Sequence, residues 1–287
     1  MPTVGQIEKK TQERVLALLS QRLGYTYLGD WIDRPANSNI EPERLKAWLA
    51  AQGVSDTLAA RALFELQKVA NDTSKSLYDR NHAVYRLLRY GVKVKAEIGE
   101  NSQTVWLIDW ADPDANHFAI AEEVAVKPAS TDAAKAYGKR PDVVLYVNGI
   151  ALGVLELKRS TVSVSEGIRQ NLDNQTKIFI QPFFTTLQII MAGNDTEGMR
   201  YGAIETPEKY YLAWKEPSAV ENPLDRALLQ TCNKARFLEL IHDFIVFDSG
   251  IKKLCRQNQY FGVRAAQDHI QRREGGIIWH TQGSGKS

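Results

Sequence analysis

Three charged side chains interrupt two apolar stretches in the middle of the chain. Residues 140–160 have the sequence RPDVVLYVNGIALGVLELKRS, in which Asp142, Glu156 and Lys158 are surrounded mainly by aliphatic residues. A buried unpaired charge is costly, so the pattern calls for a chemical explanation. Two carboxylates that converge at a strand end can bind Mg²⁺, which lowers the pKa of a bound water and neutralises charge on a phosphate. With a lysine beside them, these groups predict hydrolytic cleavage of a phosphodiester bond.

The geometry of this stretch depends on how its two predicted strands are joined. Asn148 and Gly149 lie between the apolar runs and are a strong signal for a β-hairpin. A regular two-residue turn would put Asp142 opposite Leu155, with its carboxylate facing away from Glu156. A three-residue loop or a β-bulge would place Asp142 opposite Glu156. Because the chemistry requires both carboxylates on one face, we expect one of these two irregular arrangements.

The same residues also have a purely structural interpretation. A Glu-x-Lys triplet on an exposed strand is usually a cross-strand ion pair. Here, however, the triplet lies in the apolar run GVLELKRS, which is poorly explained as a solvated face. The hairpin and the upstream Pro141-Asp142 dipeptide also favour a catalytic role.

A second chemical motif ends the sequence, GGIIWHTQGSGKS. Residues 277–279 predict a short buried strand, and a glycine-rich turn follows it. In a P-loop, backbone N–H groups cradle the phosphates of ATP, the lysine reaches the β and γ phosphates, and the serine hydroxyl binds Mg²⁺. The strict pattern fails at one position, because His280 replaces its first glycine, and an ordinary flexible loop is the alternative. The predicted nucleotide-binding residues of this turn are Gly283, Gly285, Lys286 and Ser287.

The periodicity of apolar residues predicts an α/β fold with two regions. Helices are expected before residue 92, with Ser55 and Gly91 at two of their ends. Strands are expected near 104–111, 118–126, 185–194 and 210–216 in addition to the hairpin, with helices over 165–179 and 216–247. We therefore predict one domain over 1–220, and a helical linker with the beginning of a second domain over 221–287. Since the helix that completes a P-loop would follow Ser287, we expect the chain to be truncated, or ordered only up to that residue.

The charge, the cysteine spacing and the apolar runs limit the class of protein to which this chain can belong. The formal net charge of +2 and the sequence pI of about 8.4 are too mild to indicate nucleic-acid binding by themselves. Cys232 and Cys255 lie far apart, so neither a disulfide framework nor a structural zinc site is expected, and a reducing cytoplasm fits. We find no signal peptide, and no apolar run approaches the roughly 18 residues of a membrane span.

The Pro141-Asp142 pair and the Glu156-x-Lys158 triplet resemble the motif of the PD-(D/E)xK nuclease superfamily, and the predicted elements match its α-β-β-β-α-β core. Such a domain followed by a helicase-type P-loop is similar to the restriction (R) subunit of type I restriction-modification enzymes. The resemblance covers nearly the whole chain and includes the stretches LGYTYLGDW, NSNIEPERL, NHAVYRLLRYGV, VWLIDWADPDANHF and NQYFGVRAA. It implies a restriction-endonuclease-like core with a mixed sheet between helices, and a helical segment that leads into a RecA-like helicase/ATPase domain.

The resemblance also implies an activity. In that family the nuclease cuts double-stranded DNA with Mg²⁺, ATP-driven motor domains translocate the DNA, and separate methyltransferase and specificity subunits modify and recognise it. Asp142 and Glu156 would be the metal ligands and Lys158 the catalytic lysine. Gln170 matches a glutamine that the family carries on the following helix, but Asn174 stands where the family has tyrosine.

Other residues have weaker assignments. Gln259 matches the adenine-recognising glutamine of the motor, and Glu13 is an acid on the first helix of the kind that related nucleases direct at the metal. His82, Arg86 and Arg89 are spaced as one helical stripe that could contact DNA phosphates, followed by Lys93 and Lys95. For each of these the alternative is an ordinary surface residue, and this alternative is favoured for Glu13 and for the stripe. The tryptophans are expected in the core or at an interface.

Two other functions remain open at this point. The chain could be part of a nucleotide-binding DNA translocase whose nuclease-like domain is degenerate and only grips DNA. It could also be a module that docks partner subunits. The presence of all three motif residues favours the nuclease.

Overall fold

A computed structural model describes residues 4–97, 99–128 and 137–279. The glycine-rich turn over 283–287 and His280 lie outside these residues. The nucleotide-binding roles of Gly283, Gly285, Lys286 and Ser287 therefore stay predictions.

The described residues form a mixed α/β fold, as predicted. The helices are α1 (Val4–Ala17), α2 (Pro42–Ala51), α3 (Asp56–Ala70), α4 (Leu77–Tyr90), α5 (Val164–Asn174), α6 (Pro223–Thr231), α7 (Lys234–Asp243) and α8 (Gln257–Gln271). The strands are β1 (Thr26–Asp30), β2 (Val92–Val94), β3 (Gln103–Val105), β4 (Phe118–Glu122), β5 (Val143–Val147), β6 (Ile150–Leu157), β7 (Ile189–Asn194), β8 (Gly198–Gly202), β9 (Ile245–Asp248) and β10 (Ile251–Leu254). Within the described part of the chain, no helix is long and apolar enough to cross a membrane.

Local sequence explains where several helices begin and end. The Ser55 side chain accepts a hydrogen bond from the Leu58 backbone N–H at the start of α3, which confirms the predicted N-cap. Gly91 follows α4 with a φ of 73°, a left-handed conformation that glycine adopts without strain. These two ends are fixed by short-range chemistry and were therefore predictable.

A six-stranded sheet in the order β1-β4-β5-β6-β7-β8 forms the centre of the molecule. β1 is parallel to β4 and β6 is parallel to β7, while the remaining neighbours are antiparallel. Alternating residues of β5 and β6 belong to two apolar clusters, one on each face. Leu145 and Leu155 share a cluster with α2, α3, α6 and α7. Val144 and Val154 share the other cluster with α5.

The β5–β6 hairpin combines a regular turn with a β-bulge. Val147 pairs with Ile150, so the turn has two residues, and Asn148 and Gly149 have φ angles of 52° and 82°. The register shifts between the pairs Leu145–Gly153 and Tyr146–Ala151, which leaves one extra residue, Leu152, in β6. The predicted bulge is thus confirmed, and the alternative of a three-residue loop is not adopted.

The segment from α6 to β10 packs on the same sheet. A Cβ on Gly153 would lie 3.2 Å from Cζ of Phe237, so this glycine makes room for the α7 aromatic ring. Lys252 of β10 is buried, and its Nζ donates to Asn81 Oδ1 at 2.8 Å and to Gln188 Oε1 at 2.6 Å. These contacts connect the β9–β10 hairpin to the region before residue 220. The division of the chain at that residue stays a prediction.

Four predicted elements differ from the structure. The strand expected over 104–111 is reduced to β3, which ends at Val105. Residues 210–216 form a single bridge, Leu212 with Tyr201, and no strand. Residues 277–279 are exposed and unpaired within the described chain, because no described strand lies beside them to form a ladder. The helical region predicted over 216–247 begins only at Pro223 and ends at Asp243, and β9 and β10 follow as an antiparallel pair. Strand formation depends on a partner that a local pattern does not reveal.

Gly149 offers a test of the hairpin. A Cβ there would approach Arg44 Cβ at 2.8 Å and the Glu41 carbonyl oxygen at 2.9 Å. Gly53 has a similar φ of 78° but no atom within 4 Å of such a Cβ. We expect Gly53→Ala to cost about 1–2 kcal/mol of unfolding free energy from backbone strain alone. Gly149→Ala should cost at least twice as much in denaturant titrations, and equal losses would contradict the described packing of the turn.

Candidate active site

The bulge in β6 brings the three predicted residues together. Val143 pairs with Leu155, and continuing that register by one residue places Asp142 opposite Glu156. Both share the face of Val144 and Val154, which is the face covered by α5. Lys158 follows the end of β6 and lies beside Glu156. The sheet thus positions two carboxylates and one ammonium at the same strand ends.

Specific hydrogen bonds fix these side chains. The Leu157 backbone N–H donates to Asp142 Oδ2 at 2.6 Å. Lys158 Nζ donates to Glu156 Oε1 at 2.8 Å, and the Glu156 side chain is 1% exposed. The other Glu156 oxygen, Oε2, is buried and has no hydrogen-bond partner among the described residues. An unsatisfied buried carboxylate oxygen is costly, so this atom requires a partner. A proton shared with Asp142 and a bound cation are the two partners that the chemistry of the pair allows.

Burial dominates the electrostatics of the site. It raises the pKa of Asp142 to about 6, although the Leu157 N–H and the Lys158 charge oppose the rise. Burial and the neighbouring Asp142 charge raise the pKa of Glu156 well above its ordinary value. Burial acts to lower the pKa of Lys158, but the carboxylates of Glu156 and Asp142 outweigh it and the pKa is raised. The two acids therefore resist ionising together, as expected for like charges that share a buried site.

Helix α5 closes over the site at a glycine. A Cβ on Gly167 would lie 3.4 Å from Glu156 Cγ and 3.5 Å from Lys158 Cγ. Gln170 lies one turn further along, is partly buried and forms no side-chain hydrogen bond with any described residue. Asn174 is fully buried, and neither of its side-chain polar atoms has a described partner. Position 174 therefore faces the sheet in this chain and does not line an open site.

The structure adds acidic neighbours that sequence reasoning missed. On α1 the acid near the site is Glu8, whose Oε1 lies 4.0 Å from Lys158 Nζ, whereas Glu13 is exposed. Gln12 donates to Glu122 at 2.7 Å and to Glu123 at 3.1 Å. The charge of Glu123 contributes to the raised pKa of Asp142. The two adjacent glutamates at the end of β4 were the available sequence signal, but surface acids are too common for that signal to have been decisive.

The predicted basic stripe on α4 is not a continuous exposed surface. The His82 ring stacks on Phe247 with a centroid distance of 4.4 Å. Arg89 donates to the His242 carbonyl oxygen and to the Tyr85 hydroxyl. Residues of α7 and β9 thus engage two members of the stripe, and only its middle member, Arg86, is exposed. Contact of the stripe with DNA phosphates stays a prediction.

Gln259 lies in the first turn of α8. Its Oε1 accepts a hydrogen bond from the Arg256 backbone N–H at 2.8 Å, which is one arm of a capping box. This hydrogen bond holds the Gln259 side chain at the N-terminus of α8. Its predicted role in adenine recognition is neither supported nor opposed by that contact.

The residues that could hold a metal ion are Asp142 and Glu156. Among the described residues, no three His, Cys, Asp or Glu side chains are grouped closely enough to hold one. Mg²⁺ commonly takes one or two carboxylates and fills its remaining positions with water and substrate phosphate. The pair, with the orphaned Glu156 Oε2, fits that mode of binding.

Comparison with known proteins gives the family. The family described as "Type I restriction enzyme R protein N terminus" matches residues 6–209, more than half of the chain. A second family, "SWI2/SNF2 ATPase", matches residues 258–287. The first match alone covers the hairpin, α5 and all the carboxylates of the site.

Individual relatives agree with the first match. The chain is 29% identical over 232 residues to the type I restriction enzyme HindI endonuclease subunit of Haemophilus influenzae, covering 72% of this chain and 21% of the relative. It is 26% identical over 263 residues to the putative type I restriction enzyme MjaIXP endonuclease subunit of Methanocaldococcus jannaschii. That alignment covers 79% of this chain and 24% of the relative. The chain thus spans about a fifth to a quarter of the length of these relatives. It belongs to the type I restriction enzyme R protein family and carries that family's N-terminal domain.

Proposed function

We propose that this chain is the Mg²⁺-dependent nuclease part of a type I restriction R subunit, with a PD-(D/E)xK core, which cleaves double-stranded DNA. The observation that carries the proposal is the convergence of Asp142, Glu156 and Lys158 on one face of the sheet. The orphaned Glu156 Oε2 supports a cation as the missing partner. The family relationship supports DNA as the substrate.

Asp142 and Glu156 would hold the ion. When bound, Mg²⁺ activates a water nucleophile and neutralises the charge that develops on the phosphate. The Leu157 N–H holds Asp142 in place, so the carboxylate loses little freedom on binding. The cation also offsets the repulsion and burial that raise the pKa of both acids, which allows both to be ionised near neutral pH.

Lys158 has two roles in this scheme. Without substrate it pairs with Glu156 Oε1 and offsets part of the buried negative charge. Its side chain is 15% exposed, so the ammonium lies between the buried acids and solvent, where DNA would approach. From that position it can orient the attacking water or stabilise negative charge on a phosphate oxygen in the transition state.

The rest of the assembly is inferred from the relatives. ATP would bind a motor whose first elements include Gln259, Gly283, Gly285, Lys286 and Ser287, and the match to an ATPase family over residues 258–287 supports this. Cleavage would follow ATP-driven translocation. Methyltransferase and specificity subunits would complete the enzyme in the cytoplasm, because the relatives are subunits of type I restriction enzymes.

A domain that only gripped DNA or docked subunits explains the site less well. Two buried carboxylates repel a phosphate backbone and destabilise the fold unless a cation joins them. A gripping surface would gain nothing from that arrangement. We therefore favour the nuclease.

The electrostatics predict an unusual pH dependence. Since the folded-state pKa of Asp142 is about 6, above the ordinary 3.8, the folded chain binds this proton more tightly than the unfolded chain. That stabilisation is complete below pH ~4 and is lost as the pH rises through ~6. In EDTA, parent stability should fall relative to Asp142→Asn by on the order of 3 kcal/mol between about pH 4 and pH 8. Denaturant titrations at several pH values measure this difference.

Two features make that comparison specific. An asparagine oxygen can still accept the Leu157 N–H, so the variant removes the charge and keeps the hydrogen bond. Asp173→Asn, an exposed acid on α5, is the matched control and should follow the parent at every pH. If the unfolding free energies of the parent and of Asp142→Asn changed in parallel with pH, the pKa of Asp142 would not be raised in the folded state.

The activity is tested by Lys158→Ala in the full-length subunit assembled with its partner subunits. Double-strand cleavage should fall at least about 100-fold, because a group that stabilises the transition state is lost. ATP-driven translocation should remain near the parent rate. Lys68→Ala, which removes an exposed lysine from an ordinary helical ion pair, should leave both unchanged. Near-normal cleavage by a Lys158→Ala enzyme with a lowered melting temperature would instead identify Lys158 as a structural ion-pair partner.

A further inference from the structure

A cleft of about 450 Å³ lies between the end of α2 and the segment after β3. Three tryptophan side chains, Trp48, Trp106 and Trp110, line it together with Asp109, and we refer to it as the tryptophan cleft. Trp48 belongs to the apolar cluster on the sheet face opposite α5. The tryptophan cleft is therefore separate from the site around Asp142.

The indole rings are held in fixed positions. Trp48 Nε1 donates to the Ala115 carbonyl oxygen at 2.9 Å, and Trp110 Nε1 donates to the Leu88 carbonyl oxygen at 3.0 Å. Because these donors are used internally, neither Nε1–H group is available to a ligand, and the Trp110 ring also packs against the His242 ring at a centroid distance of 4.8 Å. Trp106 is 48% exposed, which is unusual for the most hydrophobic kind of aromatic side chain. The cleft thus combines two indole rings held by hydrogen bonds with a third, Trp106, that is exposed to solvent.

Asp109 gives the cleft a negative charge in a fixed position. Its Oδ1 accepts the backbone N–H groups of Ala111 at 3.0 Å and Asp112 at 2.9 Å. Its own N–H donates to Asn116 Oδ1 at 2.8 Å. Among the described residues that line the cleft, Asp109 is the charged one, and neither lysine nor arginine is among them. An aromatic surface with one carboxylate favours a cation.

We propose that the tryptophan cleft binds an arginine side chain presented by a protein partner. A guanidinium group stacks on indole faces and pairs with a carboxylate, and arginine is enriched where protein interfaces have such sites. A nucleobase would bring phosphates close to Asp109 and the exposed Asp112, which disfavours nucleic acid. The site does not depend on the nuclease chemistry, so either proposal can fail alone.

The test uses the indole N–H signals of the six tryptophans in ¹⁵N–¹H NMR spectra of the 287-residue chain. The probe is the blocked tripeptide Gly-Arg-Gly, and the neutral control is blocked Gly-Gln-Gly. The arginine peptide should shift the signals of Trp48, Trp106 and Trp110 in a saturable way. The glutamine peptide should shift them at least about fivefold less at equal concentration, because a neutral side chain forms neither a cation–π contact with the indole rings nor an ion pair with Asp109.

Two variants identify the charge as the cause. Asp109→Asn keeps an oxygen for the Ala111 and Asp112 N–H groups, and should weaken arginine-peptide binding by about fivefold or more. Lys93 is exposed and pairs with Thr104 at the edge of the cleft, so Lys93→Glu should strengthen binding by about twofold. Asp173→Asn, distant on α5, should bind as the parent does.

Three results would overturn the proposal. The first is equal binding of the glutamine peptide, which would mean apolar packing only. The second is tighter binding of thymidine than of the arginine peptide. The third is unchanged affinity in Asp109→Asn when its spectrum shows the parent fold.

Discussion

Side chains alternate between the two faces of a β-strand, and the site depends on how the β5–β6 hairpin satisfies this constraint. With the two-residue turn at Asn148 and Gly149 and no irregularity, Asp142 and Glu156 would face opposite sides. The extra residue at Leu152 changes the alternation in β6, so Ala151 and Val154 lie on the same face although they are three residues apart. The unpaired residue thus allows the hairpin to keep the two-residue turn that Asn148 and Gly149 favour and still to place both carboxylates on one face.

The bulge creates an electrostatic problem along with the site. It places two carboxylates on the face that α5 covers, where burial raises the pKa of both. Gly167 allows the helix to pack against Glu156 and Lys158 without a Cβ between them. Lys158 offsets part of the charge, but one Glu156 oxygen remains without a partner among the described residues. The cation binding that we propose for these carboxylates would offset this cost.

Much of the site could be predicted because charges in an apolar run are anomalous wherever they occur. That anomaly, with the Pro141-Asp142 pair and the hairpin, made Asp142, Glu156 and Lys158 candidates, and the required common face predicted either a bulge or a three-residue loop. The neighbours Glu8 and Glu123 were not, since surface acids are common and their proximity depends on how α1 and β4 pack. Gly167 had no sequence signal either, because a glycine inside a helix is explained only by the surface it approaches.

The fold shows the same division between local and non-local information. Ser55 and Gly91 act within one turn of chain, and their roles followed from residue type. Strands over 210–216 and 277–279 were expected from aromatic and β-branched content. The first segment makes only the single Leu212–Tyr201 bridge to β8, and the second has no neighbouring strand in the described chain. Conversely, β9 lies largely within the region expected to be helical, yet it pairs with β10, and Lys252 and Phe247 of this hairpin pack against α4.

The central claim is that Asp142 and Glu156 bind a divalent cation from one face of the sheet. Anomalous diffraction from crystals of the chain soaked with Mn²⁺ tests it most directly, because Mn²⁺ replaces Mg²⁺ and scatters X-rays anomalously. The account predicts one strong peak between the two carboxylates, with oxygens of both at about 2.0–2.6 Å. A well-occupied peak elsewhere, with the Lys158–Glu156 pair and the orphaned oxygen unchanged, would contradict it.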